Sequence, residues 1–142
     1  MSDDDNEISL SDLQLALMRQ LWAREKDGTG GEASTAEVAE GLRAERALAH
    51  TTVATLLSRL EKRGLVAARR EGRGLVYRAL ISETQVQRSM VSGLLSNLFE
   101  GKASALLSHL LDESEIGDAD LAQMRALLQQ QRKKAGSGGG HA

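Results

Sequence analysis

The chain has no cysteine and no proline, and only three of its 142 residues are aromatic: Trp22, Tyr77 and Phe99. Without thiols it cannot form disulfides, thiolate metal sites or a cysteine nucleophile. Scarce aromatics beside abundant leucine favour a helical, aliphatic core, because strand-rich cores draw on β-branched and aromatic side chains. The missing proline agrees, since proline interrupts helices. No apolar run approaches the roughly 18 residues of a membrane span, and the opening MSDDDNE is acidic where a signal peptide would be basic. A cytoplasmic location without membrane insertion is therefore expected. The three histidines, His50, His109 and His141, stand in separate segments without a ligand-spaced partner, and no serine lies in a nucleophile-elbow pattern. The chain reads as a non-enzyme with neither metal nor cofactor.

What is present is unevenly distributed charge. Residues 1–42 hold three Lys/Arg against ten Asp/Glu, residues 43–80 hold nine against three, and residues 81–142 hold six against seven, for a formal total of -2. A basic segment between acidic flanks suits a polyanionic partner; a merely solvated basic surface is the plainer alternative. Hydrophobic residues make up 41% of the chain, enough for one modest core with an appendage.

The pattern along the chain predicts mainly α structure with a small β-hairpin wing. Residues 1–7 read as a disordered acidic N-terminus. SDLQ, from Ser11, has capping-box spacing and opens a helix carrying Leu13, Leu17, Met18, Leu21 and Trp22. DGTGG ends it and reads as a flexible connection; a phosphate loop would need the lysine and hydroxyl that are missing here. A second capping box, STAE from Ser34, starts a short helix with Val38 and Leu42 inward. A third helix is predicted over residues 51–63, with Val53, Leu56, Leu57 and Leu60 at helical spacing and Gly64 as the positive-φ stop. Two strands over 65–70 and 75–81 then flank EGRG, a hairpin-length turn. Three helices followed by a hairpin are the order of a winged helix-turn-helix domain, assigned to residues 8–82.

With its apolar stripe inward, the third helix turns Thr51, Thr55, Ser58 and Lys62 outward, with Thr52 and Arg59 on one flank. Short hydroxylated side chains permit close approach to a major groove, and Arg59 can reach a guanine edge. Arg69, Arg70 and Arg73 gather at the hairpin, where phosphates or a minor groove would relieve their mutual repulsion. Double-stranded DNA is the partner so indicated. Two other readings use the same fold: a protein-interaction module without DNA affinity, and a ligand-sensing, MarR-like regulator, which would need an apolar pocket.

Residues 83–134 read as a helical dimerisation region, followed by a disordered tail over 135–142. One stripe comprises Val86, Met90, Val91, Leu94, Leu95 and Leu98; Gly101 breaks the helix before Leu106, Leu107, Leu110 and Leu111; Asp118 is expected to cap a last helix with Leu121, Met124, Leu127 and Leu128. So much leucine exceeds what a monomer's surface tolerates, so homodimerisation through Val86, Met90, Leu94, Leu98, Leu106, Leu110, Leu121, Met124 and Leu128 is expected. Folding back of these helices onto their own domain is the alternative. A two-fold dimer would space two recognition helices by whole DNA turns, hence an inverted-repeat operator.

The run HTTVATLLSRLEKRGLVAARREGRGLVYRALIS resembles the penicillinase-repressor family (BlaI/MecI/CopY type), as do LSDLQLALMRQLW and, more weakly, LFEGKASALLSHLL. The resemblance implies a homodimeric repressor of a dyad operator, commonly in β-lactam-resistance or metal-homeostasis genes, with Thr52, Thr55 and Arg59 facing DNA. Ala54 stands where some staphylococcal relatives carry arginine, so their base preference does not carry over unchanged. The cysteine motif of the copper-responsive branch is missing. In the β-lactam branch a membrane sensor protease triggers cleavage between asparagine and phenylalanine in the dimerisation region. The corresponding bond here joins His109 and Leu110, different residues at both positions.

Overall fold

Three serines start helices by the same local device. Ser11, Ser34 and Ser82 each accept a hydrogen bond from the backbone N–H three residues on, while Gln14, Glu37 and Gln85 reach back to the serine N–H. Each box satisfies amides that a helix start would leave open. In the computed structural model, which describes residues 8–139, these boxes open α1 (Asp12–Lys26), α2 (Thr35–Leu42) and α4 (Glu83–Leu98). The remaining elements are β1 (Glu32–Ser34), α3 (His50–Lys62), β2 (Val66–Glu71), β3 (Gly74–Ala79), α5 (Ala103–Asp112) and α6 (Asp118–Gly139). The acidic N-terminus assigned to residues 1–7 and the end of the tail at 140–142 lie outside the described residues.

The chain divides into two units, one up to Gly93 and one from Leu94 onward. In the first, α1, α2 and α3 enclose Leu17, Met18, Leu21, Val38, Leu42, Val53, Leu57 and Leu60, all fully buried, and the sheet adds Ala33, Val66 and Tyr77. The expected hairpin is present, but it belongs to a three-stranded antiparallel sheet ordered β1-β3-β2. Three residues are too short a run to give β1 a signal of its own; it is a strand because Glu32, Ala33 and Ser34 pair with Arg78, Tyr77 and Val76. DGTGG is a defined turn where a flexible connection was expected. Gly28, Gly30 and Gly31 all take positive φ, and Asp27 Oδ1 accepts from both the N–H and the hydroxyl of Thr29.

Gly64 has φ 78°. Its N–H donates to Glu61 O and that of Leu65 to Leu60 O, a Schellman stop that turns the chain from α3 straight into β2. The wing turns in two residues, since Glu71 pairs with Gly74 and Gly72 supplies the positive φ of 62°.

The division of the chain falls inside α4, eleven residues beyond the boundary expected after residue 82. Val86 is 1% exposed in the core of the first unit, and Met90 packs partly buried against it. Both were expected at a dimer interface. Val86 cannot serve there, because its side chain is already enclosed by its own domain. The Trp22 indole N–H also donates to Ile81 O at 2.9 Å, tying α1 to the connection between β3 and α4.

The second unit comprises the end of α4, α5 and α6. The chain turns out of α4 through Glu100 and Gly101 at φ 52° and 80°, as the glycine suggested. Asp118 is not the cap of α6 but its first residue; Asp120 reaches back instead, accepting from the Gly117 N–H. Helix α6 continues to Gly139, past residue 135, where a disordered tail was expected to begin.

Candidate nucleic-acid interface

Helix α3 presents its outer face as the spacing predicts. Thr51, Thr52, Thr55, Arg59 and Lys62 are exposed and Ser58 is half-buried, while Val53, Leu57 and Leu60 are enclosed. The Thr55 hydroxyl donates to Thr51 O at 3.0 Å, so this residue offers its methyl and oxygen lone pairs outward rather than a proton. Arg59 and Lys62 have no carboxylate within ion-pair distance among the described residues. Glu61, the one acid of the helix, falls to the side of that face by helical spacing, and its carboxylate adds to the upward shift that burial gives the Tyr77 phenol. The outer face is thereby left with cations and hydroxyls. Ala49 is the cap residue of the helix, without a side-chain hydrogen bond, and His50 is the first helical residue.

The wing separates the three arginines that the sequence groups together. Along β2, Arg69 and Glu71 lie on one face and Arg70 on the other, because successive residues alternate. Arg69 is engaged: Nε and Nη2 donate to Glu32 Oε2 and Oε1 at 2.7 and 2.6 Å, and Nη2 also meets Glu71 Oε1 at 2.8 Å. These hydrogen bonds, the Glu32 pair first, push the Arg69 guanidinium further into its charged form and hold the Glu32 carboxyl below its ordinary value. Arg69 therefore braces the sheet, which leaves Arg70 and Arg73, of these three arginines, without an ion pair among the described residues. The brace depends on β1, the strand without a sequence signal.

Two further arginines flank α3 in the chain. Arg46, in the turn before α3, is exposed and has no ion pair among the described residues. Its only sequence signal was membership of the basic segment. Arg63, just after α3, donates to Ser9 O at 2.9 Å, and Ile8 N–H donates to Ser89 Oγ, so the chain before α1 is fastened to both α3 and α4.

Of the residues expected to mediate dimerisation, Leu94, Leu98, Met124 and Leu128 are exposed, and Leu106, Leu110 and Leu121 are half-buried within the second unit. Leu107, Leu111 and Leu127, outside that set, are exposed as well. None of the second unit's residues with described burial, 94–135, is buried. The His109–Leu110 bond lies inside α5, with the His109 ring 6.2 Å from that of Phe99. A protease needs extended backbone, so access to this bond requires α5 to open.

A family model described as penicillinase repressor matches residues 10–130 of this chain. The transcriptional regulator BlaI of Mycobacterium tuberculosis is 36% identical over 121 residues, covering 84% of this chain and 83% of that protein. A 16.5 kDa protein of Latilactobacillus sakei is 27% identical over 128 residues, covering 90% and 82%. Among solved structures, the monomeric form of Bacillus licheniformis BlaI in complex with the blaP half-operator matches with a TM-score of 0.43 at 29% identity, over 55% of this chain and 88% of that one. With the model spanning most of its length and the mycobacterial relative above 30% identity, this chain belongs to the penicillinase repressor family.

Proposed function

We propose that this protein is a homodimeric transcriptional repressor that covers an inverted-repeat operator, with one α3 in the major groove of each half-site. The observation that carries this is the outer face of α3, where Thr51, Thr52, Thr55, Arg59 and Lys62 are exposed with no carboxylate among them. Ser58 lies deeper on the same face and contacts the groove edge. Arg73 at the wing turn and Arg70 beside it meet phosphates or a minor groove, and Arg46 adds a backbone contact before α3. Arg69 is withdrawn from that set because two carboxylates already hold it.

The second unit supplies the dimer. A helical unit in which no described residue is buried cannot be stable by itself, and a second copy covering Leu94, Leu98, Met124 and Leu128 supplies the missing core. The family's name and the mycobacterial relative's role as a regulator support control of β-lactam-resistance genes. Release follows from cleavage in the second unit, at or near His109–Leu110, after a sensor protease acts, because a monomer retains only one half-site. Selection of genomic fragments on the full-length protein at physiological salt tests the reading. Recovery of a short inverted repeat is expected; no enrichment would overturn it in favour of a protein-interaction module.

A further inference from the structure

The hydroxyls on the outer face of α3 are not equivalent. Thr55 Oγ1 donates its only proton to Thr51 O at 3.0 Å, whereas the exposed side chains of Thr51 and Thr52 make no hydrogen bond among the described residues. The Thr55 bond also selects one of the two rotamers that threonine takes in a helix, so the oxygen is fixed before any partner arrives. Thr55 is itself exposed, in the second turn of a helix that starts at His50. The early turns of a recognition helix are the ones that reach base edges. Arg59 follows Thr55 by one turn on the same side of the helix.

We propose that Thr55 separates amino bases from keto bases at one position of each half-site, its oxygen accepting a hydrogen bond from the exocyclic amine of adenine or cytosine. This rests on the operator reading given above and adds the chemistry that one residue of it recognises. An oxygen that has given up its proton cannot bond a phosphate, which only accepts. In the major groove guanine offers the acceptors N7 and O6 and thymine the acceptor O4, so neither suits it. Adenine N6 and cytosine N4 are the donors there. Exchanging the two bases of a pair moves the amine across the groove, so the contact reads which strand carries it. Arg59 has donors only and takes the opposite chemistry, the guanine acceptors. Four residues rise about 6 Å along a helix, against about 3.4 Å per base step, which sets the amino base roughly one or two steps from that guanine.

Selection from randomised duplexes on the full-length protein, run in parallel for the native chain, Thr55→Val and Thr55→Ser, tests this. The native chain should select adenine or cytosine at one half-site position and reject guanine and thymine there by roughly threefold to tenfold. Thr55→Val keeps the shape and a methyl group but not the oxygen; it should lose that discrimination at that position alone, with a native circular dichroism spectrum. Thr55→Ser, which keeps the oxygen, should retain it. In the selected operator, unsubstituted purine in place of adenine, or pyrimidin-2-one in place of cytosine, deletes the amine. The native chain should lose the same factor on that analogue and Thr55→Val should lose nothing, and the analogue that acts names the base. With an operator selected, an unchanged profile for Thr55→Val would overturn the proposal, as would equal weakening on every sequence, the mark of a phosphate contact. A preference for thymine retained in Thr55→Val would assign the contact to the methyl group and overturn it too. No sequence selected by the native chain would overturn the operator reading and this inference with it.

Discussion

Arg69 and Glu32 meet at two points across the sheet, Nε to Oε2 at 2.7 Å and Nη2 to Oε1 at 2.6 Å, although β3 lies between their strands. An arginine so held is part of the wing's framework. Arg69→Ala should lower the melting temperature and leave the salt dependence of operator binding unchanged. Arg73→Ala should behave in the opposite way, with native stability and a slope of log affinity against log salt reduced by about one. Thermal melts and binding isotherms at several salt concentrations check both. A reduced slope for Arg69→Ala would return it to the DNA contacts.

The same ion pair sets a pH limit. Glu32 is held below its ordinary value of 4.5 by the hydrogen bonds from Arg69, Glu37 by the Ser34 N–H it caps, and Asp27, whose ordinary value is 3.8, by the Thr29 hydroxyl. In each case the folded chain binds protons less readily than the unfolded one, so the stabilisation is present above the ordinary values and is lost as pH falls through the lowered ones. Unfolding experiments should show stability little changed by these groups from neutrality to about pH 4.5 and declining below it. Glu32→Gln should make that decline shallower. A parallel acid limb in the variant would count against the linkage.

For base reading, Arg59→Ala should weaken specific operator binding by about 1 to 3 kcal/mol and relax the preference at one position of each half-site. Lys62→Ala should weaken specific and random DNA alike. Competition of the two variants between operator and random duplexes separates the roles. Equal loss on both duplexes for Arg59→Ala would remove it from base contact.

Val86 and Leu98 lie on one helix and should respond differently to substitution. Val86→Ala should cost about 2 kcal/mol in unfolding of the first unit, from lost burial and the cavity left behind, and leave dimer dissociation unchanged. Leu98 is 66% exposed, so Leu98→Glu should leave that unit folded and raise the dimer dissociation constant by roughly tenfold or more. Sedimentation and denaturant titration read the two effects independently.

Cleavage within α5 predicts two fragments meeting near residue 109 in cells fully induced by a β-lactam. Mass spectrometry of the recovered protein decides it; an intact chain after complete derepression would rule out proteolytic release.

The sequence by itself determined the features that depend on near neighbours. The boxes at Ser11 and Ser34, the Gly64 stop and the alternation of buried and exposed positions along α3 all act over a few residues, so spacing and side-chain type are sufficient to read them. The hydroxylated, basic face of α3 was legible for the same reason. Tertiary structure decided whatever joined segments far apart in the chain. Glu32 and Arg69 are 37 residues apart, and only the pairing of β1 with β3 turns one of three apparent wing contacts into a brace. Val86 repeats the lesson from inside a helix: its stripe continues into exposed leucines, but its own position in that stripe falls against the winged core. Helical periodicity states which residues share a face, whereas the fold alone states what that face meets.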